Sequence, residues 1–203
     1  MDIFIYLFVA LFSVLNPIGT VPIFVGLTQG YTASERSKTS LVTSINVFII
    51  LMISFFVGQY VLSFFGITIT ALRIAGGIII ASSGFSLLNG NFSKNKGINK
   101  KVQKEVEARQ HIALTPLAMP MLAGPGSISL LIAYYQELGE SGSAITSVEI
   151  LFSCLAILAV AVLIYIVLRS AHYLAKILGS SGIVAISRII GFLTIAIGIQ
   201  YII

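Results

Sequence analysis

Apolar runs of about 20 residues, enough to cross a hydrocarbon core of ~30 Å, recur along the chain between polar connectors. The pattern predicts six spans, over residues 3–28, 41–65, 71–88, 112–133, 148–168 and 183–203. Spans 1 and 4 are interrupted near their middles. The first carries Leu15-Asn16-Pro17-Ile18-Gly19-Thr20-Val21-Pro22, and the fourth carries Ala123-Gly124-Pro125-Gly126-Ser127. In lipid, non-helical backbone persists only where protein or a water-filled cavity surrounds it, because an unpaired N–H or C=O facing hydrocarbon costs several kcal/mol. The two breaks are therefore the first candidate for a site.

Composition agrees with this reading. The chain has 203 residues, 57% hydrophobic and 9% charged, with a mean hydropathy of +1.03, which excludes an ordinary soluble domain. The net charge of +5 changes little, since eight of the twelve Lys and Arg fall in two connectors, residues 29–40 and 89–111. That is a topology signal rather than a nucleic-acid footprint. Placing the basic connectors inside puts the N-terminus and C-terminus outside. Met1-Asp2-Ile3 lacks the basic region of a cleaved signal peptide, so the first span is expected to remain in place. Cys154, the single cysteine, supports neither a disulfide framework nor a cysteine metal site.

The two halves resemble each other. Arg73-Ile74-Ala75-Gly76 in span 3 matches Arg188-Ile189-Ile190-Gly191 in span 6, 115 residues on (188 − 73), and the breaks align 108 residues apart (125 − 17). Three spans per copy is odd, so the second copy enters the membrane upside down. The expected fold is an all-α membrane protein of six transmembrane helices, built as two inverted three-helix repeats with helices 1 and 4 broken. The repeats occupy residues 1–88 and 112–203 of a single membrane domain, with 89–111 as a basic cytoplasmic connector. Such an arrangement is a recurrent build of secondary transporters.

Asn16-Pro17 reads as a helix start, because Asn is a favoured N-cap and the first helical position has no use for the N–H that Pro lacks. Gly124-Pro125 repeats the pattern. Each start presents free N–H groups and a positive dipole end that suit a carboxylate. The carbonyls released just before each break suit an ammonium group or a cation. The candidate substrate-binding residues are thus Asn16, Pro17, Gly19, Thr20, Gly124, Pro125, Gly126 and Ser127, which together could hold a small zwitterion without a charged side chain. The plainer alternative is a pair of proline kinks serving helix packing. Arg73 and Arg188, near opposite membrane faces, are candidate gates or carbonyl caps, and Asn46 is a candidate cavity residue. His111 and His172 read as interfacial. All seven carboxylates lie in connectors or at span ends, so no buried proton carrier, metal site or catalytic constellation is readable, and the chain is not expected to be an enzyme.

Asn16-Pro17-Ile18-Gly19 with Pro22, the run from Pro116 through Pro120 to Gly124-Pro125-Gly126, and Arg73-Ile74-Ala75-Gly76-Gly77 resemble the signature stretches of the MarC (UPF0056) family, within the LysE-type exporter superfamily. The likeness covers essentially the whole chain. It implies a six-span inner-membrane protein and transport of small neutral amino acids such as glycine or alanine, an activity assigned to some relatives. The expected function is a secondary transporter with its substrate near the midplane, in contact with the bilayer and with no nucleic-acid partner. It needs no cofactor. A coupling ion, Na⁺ or H⁺, and a homo-oligomer are left open, as are two alternatives: a passive channel for small solutes or ions, and a non-transporting scaffold using its basic connector.

Overall fold

The computed structural model describes residues 2–28, 30–89, 122–140 and 146–203. These form seven helices: α1 (Asp2–Leu15), α2 (Pro17–Leu27), α3 (Ala33–Phe65), α4 (Ile69–Leu88), α5 (Pro125–Glu140), α6 (Ser147–Arg169) and α7 (Ala171–Ile202). Among the described residues five stretches are long and apolar enough to cross a membrane: Ile3–Val21, which runs through the break, Ala33–Phe65, Ile69–Leu88, Ser147–Arg169 and Val184–Ile202. The expectation of a sixth span falls on residues 112–133, of which 112–121 lie outside the described residues and the remainder contributes α5.

The helix ends differ from the limits of the apolar runs. The helix of span 2 begins eight residues before the apolar run, because a capping box starts it: Glu35 N donates to Thr32 Oγ1 at 3.3 Å and Thr32 N donates to Glu35 Oε2 at 2.7 Å. At 33 residues α3 is ~50 Å long and reaches past the hydrocarbon. A second Thr-Glu box starts α6, at Thr146 and Glu149. Residues 169–182, expected as a connector, are mostly helical. α7 begins at Ala171 and kinks at Gly179, whose φ of 61° and ψ of 178° a side chain would resist.

Glycines set the closest packing. A Cβ on Gly84 would lie 2.7 Å from the carbonyl oxygen of Gly191, and one on Gly198 would lie 2.7 Å from that of Gly77. The obstacles are backbone, so α4 and α7 touch main chain to main chain and run antiparallel. α2 packs on α7 and α5 on α4, while α3 lies against α5 and α6, and α1 against α6. Leu7, Leu11, Leu15, Phe24, Leu51, Phe55 and Ile80 fill the interior. Ile53, Phe64, Leu151, Ile166, Ile189 and Phe192 point outward, each more than half exposed, as lipid-facing side chains do.

Candidate functional site

The first break is built from Pro17 outward. Proline has no N–H, so the carbonyl of Ser13 loses the donor it would have in a continuous helix. Thr194 of α7 stands in for it, its single hydroxyl hydrogen shared between Ser13 O at 3.0 Å and Ile190 O at 2.8 Å. Asn16 takes the left-handed conformation, φ 43° and ψ 65°, and is the one non-glycine residue with positive φ among those described. Asn tolerates this region better than most residues. The turn aims its side chain back over α2, where Gly19 N donates to Asn16 Oδ1 at 3.1 Å. That N–H is thereby diverted from Leu15 O, its partner in an unbroken helix. A side chain at Gly19 would collide with the Asn16 carboxamide and push it from this position. Thr20 Oγ1 donates to Asn16 O at 3.2 Å.

One group remains unmatched. Asn16 is 1% exposed, and its Nδ2 has no hydrogen-bond partner. A buried amide nitrogen left this way costs about 1–3 kcal/mol.

The second break repeats the helix start with different chemistry. Leu122 has π-helical geometry, Ala123 bends, Gly124 is non-helical and α5 starts at Pro125. Gly124 O accepts from Ile128 N at 3.2 Å and from Ser127 Oγ at 2.9 Å. Leu122, Ala123, Gly126 and Ser127 are buried, Gly124 is half-buried and Pro125 is exposed. The two breaks are neighbours: a Cβ on Gly126 would lie 3.5 Å from Val14 Cγ1 and 3.0 Å from Ile80 Cγ1. Asn16, Pro17, Gly19 and Thr20 are buried together at the start of α2.

The other candidates separate. Asn46 is half-buried on α3, and Arg188 is exposed on α7. Arg73 forms an ion pair with Glu137 that joins α4 to α5. Tyr6 stands beside Tyr134, with ring centroids 6.2 Å apart, and both lie within electrostatic range of Glu137. Tyr201 donates to Leu130 O at 2.8 Å. A cavity of about 310 Å³ opens between α1 and α7 in this half of the molecule, lined by Ile5, Tyr6, Val9, Ala10, Ile197, Gln200 and Tyr201. Ala10, its deepest residue on α1, is six residues or ~9 Å from Asn16, so the cavity is separate from the breaks.

Two partners were missed by sequence reasoning. Thr194 lies 181 residues from Ser13 and has no local signal. Glu137 had one, because the loop charges put it at the same membrane face as Arg73. His111 lies outside the described residues. His172 sits in the first turn of α7, edge-on to Phe24 with centroids 6.5 Å apart. Burial, and secondarily the charge of Arg36, lowers its pKa from the ordinary value. Among the described residues no three His, Cys, Asp or Glu side chains gather into a metal-binding group.

A bundle of long apolar helices, one of them broken at a buried asparagine, defines a multi-pass integral membrane protein. Comparison with known proteins takes this further. The model of the MarC family, described as "MarC family integral membrane protein", matches residues 1–203, and the chain belongs to that family. It is 40% identical over 203 residues to a UPF0056 membrane protein of Buchnera aphidicola subsp. Schizaphis graminum, covering 98% of this chain and 90% of that one. It is 38% identical over 197 residues to the UPF0056 membrane protein YhcE of Escherichia coli K12, covering 97% and 88%. It is 39% identical over 201 residues to the UPF0056 inner membrane protein MarC of Escherichia coli ATCC 8739, covering 96% and 90%. No solved structure matches the chain.

Proposed function

We propose that this protein is a secondary transporter of small neutral amino acids, resident in the inner membrane with both termini outside, which binds its zwitterionic substrate between the two breaks. The observation that carries the reading is the Asn16 carboxamide, buried at the start of a half-helix with its Nδ2 unmatched and adjacent to the second break. A substrate carboxylate supplies the acceptor that this nitrogen lacks. The absence of a carboxylate or cationic side chain among Asn16, Pro17, Gly19, Thr20 and Gly124–Ser127 suits a ligand of zero net charge.

Inverted repeats are supported by more than the sequence offsets. The capping boxes at Thr32–Glu35 and Thr146–Glu149 recur 114 residues apart (146 − 32). So do the hydroxyls that follow them, Thr39 to Glu35 O at 2.9 Å and Ser153 to Glu149 O at 2.8 Å (153 − 39). The α2 contact with α7 has its counterpart in the α5 contact with α4. Arg73–Glu137 then links one repeat to the other at the outer end and acts as a gate latch. With side chains 37% and 41% exposed, such a pair adds little stability, under ~1 kcal/mol, and can open readily.

The test is flux of labelled alanine and glycine in proteoliposomes. The expected result is uptake above empty vesicles, stimulated by unlabelled substrate on the opposite side, and abolished by Asn16→Ala and by Gly124→Leu. Flux without trans-stimulation would identify a channel instead. Equal flux in loaded and empty vesicles would reject both.

A further inference from the structure

We infer that the end of the bundle where α3 and α7 begin and α6 ends is a binding site for the headgroup phosphate of an anionic phospholipid. Three helices bring basic groups there: Arg36 and Lys38 from α3, Arg169 from the last turn of α6, and Lys176 from the second turn of α7. Tyr165 links α6 to α3. Arg169 Nη1 donates to its hydroxyl at 2.8 Å, and Ser37, next to Arg36, lies within hydrogen-bonding reach of the same hydroxyl. On the other side Arg36 lies close enough to His172 of α7 to act on its charge.

The patch is short of acceptors. None of the four cations forms an ion pair with a described residue. The nearby Glu35 already accepts from Thr32 N at 2.7 Å and from Thr32 Oγ1 at 2.9 Å. The Arg36 Nε is buried with no hydrogen-bond partner. A guanidinium N–H removed from water without an acceptor is unfavourable, and a phosphate offers the oxygen pair that its fork fits. His172, pushed toward its neutral form, leaves this chemistry to the arginines and lysines.

The level of the patch selects a lipid over a free anion. Leu41 and Val42, 47% and 38% exposed, lie one to two turns along α3 from Arg36, and Ile166, 54% exposed, is three residues before Arg169. The basic heads thus stand ~5–9 Å beyond lipid-facing apolar side chains, with Tyr165 and the 67% exposed Tyr173 at the depth where interfacial aromatics sit. A phosphate at that depth is attached to acyl chains that run down the adjoining apolar surface.

The full-length chain, delipidated in a neutral detergent, is titrated with phosphatidylglycerol and, separately, with phosphatidylcholine of the same acyl chains, and bound lipid is counted by native mass spectrometry. Phosphatidylglycerol is expected to bind the more tightly. Arg36→Gln, Arg169→Gln and Lys176→Gln are each expected to weaken it about fivefold. Replacing Lys94, Lys96, Lys100 and Lys101 with Gln should leave its affinity unchanged, and excess inorganic phosphate should fail to displace it. Arg169 and Lys176 are exposed, so their variants carry the test even where Arg36→Gln does not fold. Equal binding of the two lipids overturns the inference, as does loss of binding in the Lys94–Lys101 variant alone. Displacement by inorganic phosphate overturns the lipid assignment in favour of a free anion.

Discussion

Replacing Thr194 with Val removes one hydroxyl from a site that is 0% exposed and changes the side-chain volume little. The hydroxyl is the donor to Ser13 O at 3.0 Å, a hydrogen it shares with Ile190 O at 2.8 Å, and Pro17 ensures that no helical N–H can take its place. Interhelical hydrogen bonds in membranes average only ~0.6 kcal/mol, because the unfolded reference state finds partners too. Here the acceptor is left buried without a donor, so the expected cost is larger, about 1–3 kcal/mol. For a chain of this size that lowers the melting temperature by a few degrees to ~10 °C. The diagnostic comparison is a double-mutant cycle with Pro17→Ala, which returns an N–H to the position that bonds Ser13 O in a continuous helix. In that background Thr194→Val should cost no more than the ~0.6 kcal/mol of an ordinary interhelical bond. Unfolding of detergent-solubilised protein, followed by circular dichroism against temperature or denaturing surfactant, measures both costs. Equal costs in the two backgrounds would refute the claim that Thr194 substitutes for the missing proline N–H.

The proposed latch, Arg73–Glu137, predicts a charge-reversal pattern. In a Cys154→Ala background, a cysteine at Ala10, which is 5% exposed and lines the cavity between α1 and α7, should react faster with an impermeant maleimide when Arg73 becomes Glu. Adding Glu137→Arg should slow it again, and identical rates in all three proteins would exclude a latch. For His172, burial and the Arg36 charge lower the folded-state pKa from 6.5, so the folded chain binds fewer protons there than the unfolded one. Its contribution to stability is complete above ~6.5 and is lost as pH falls through the lowered value. His172→Asn should flatten the fall in melting temperature between about pH 7.5 and 5, and an unchanged slope would reject this origin.

What could be read in the sequence was local. Asn16-Pro17 and Gly124-Pro125 announce helix starts within two residues, since a cap and a missing N–H are properties of neighbouring atoms. The connector at 169–182 was misread for a related reason. Arg169, His172 and Lys176 show where the chain leaves lipid, and a helix can continue past that point. Thr32 with Glu35 three residues later was the readable cue to the early start of α3. The left-handed turn at Asn16 was not readable, because N-caps ordinarily take extended angles and only the folded surroundings hold this one. Contacts such as Thr194–Ser13 are set by the packing of α7 on the break and leave no trace in either segment alone.

The hydrogen bonds at the first break also weigh on whether it is a kink or a site. Breaking the helix at Pro17 releases the Ser13 carbonyl and redirects the Gly19 N–H. The Ser13 carbonyl receives Thr194, the Gly19 N–H receives Asn16 Oδ1, and the Asn16 carbonyl gains Thr20 Oγ1. A kink serving only to pack helices could have its Gly19 N–H capped by Ser, which brings no second polar atom but tolerates the left-handed turn less well than Asn. Asn tolerates the turn but adds an Nδ2 that is buried and unmatched, a cost that capping and packing do not require. Flux in Asn16→Ser therefore separates the two readings: the left-handed turn holds Ser less well than Asn, so both expect some loss of stability, and a packing kink keeps its flux in the folded protein whereas a substrate site loses it.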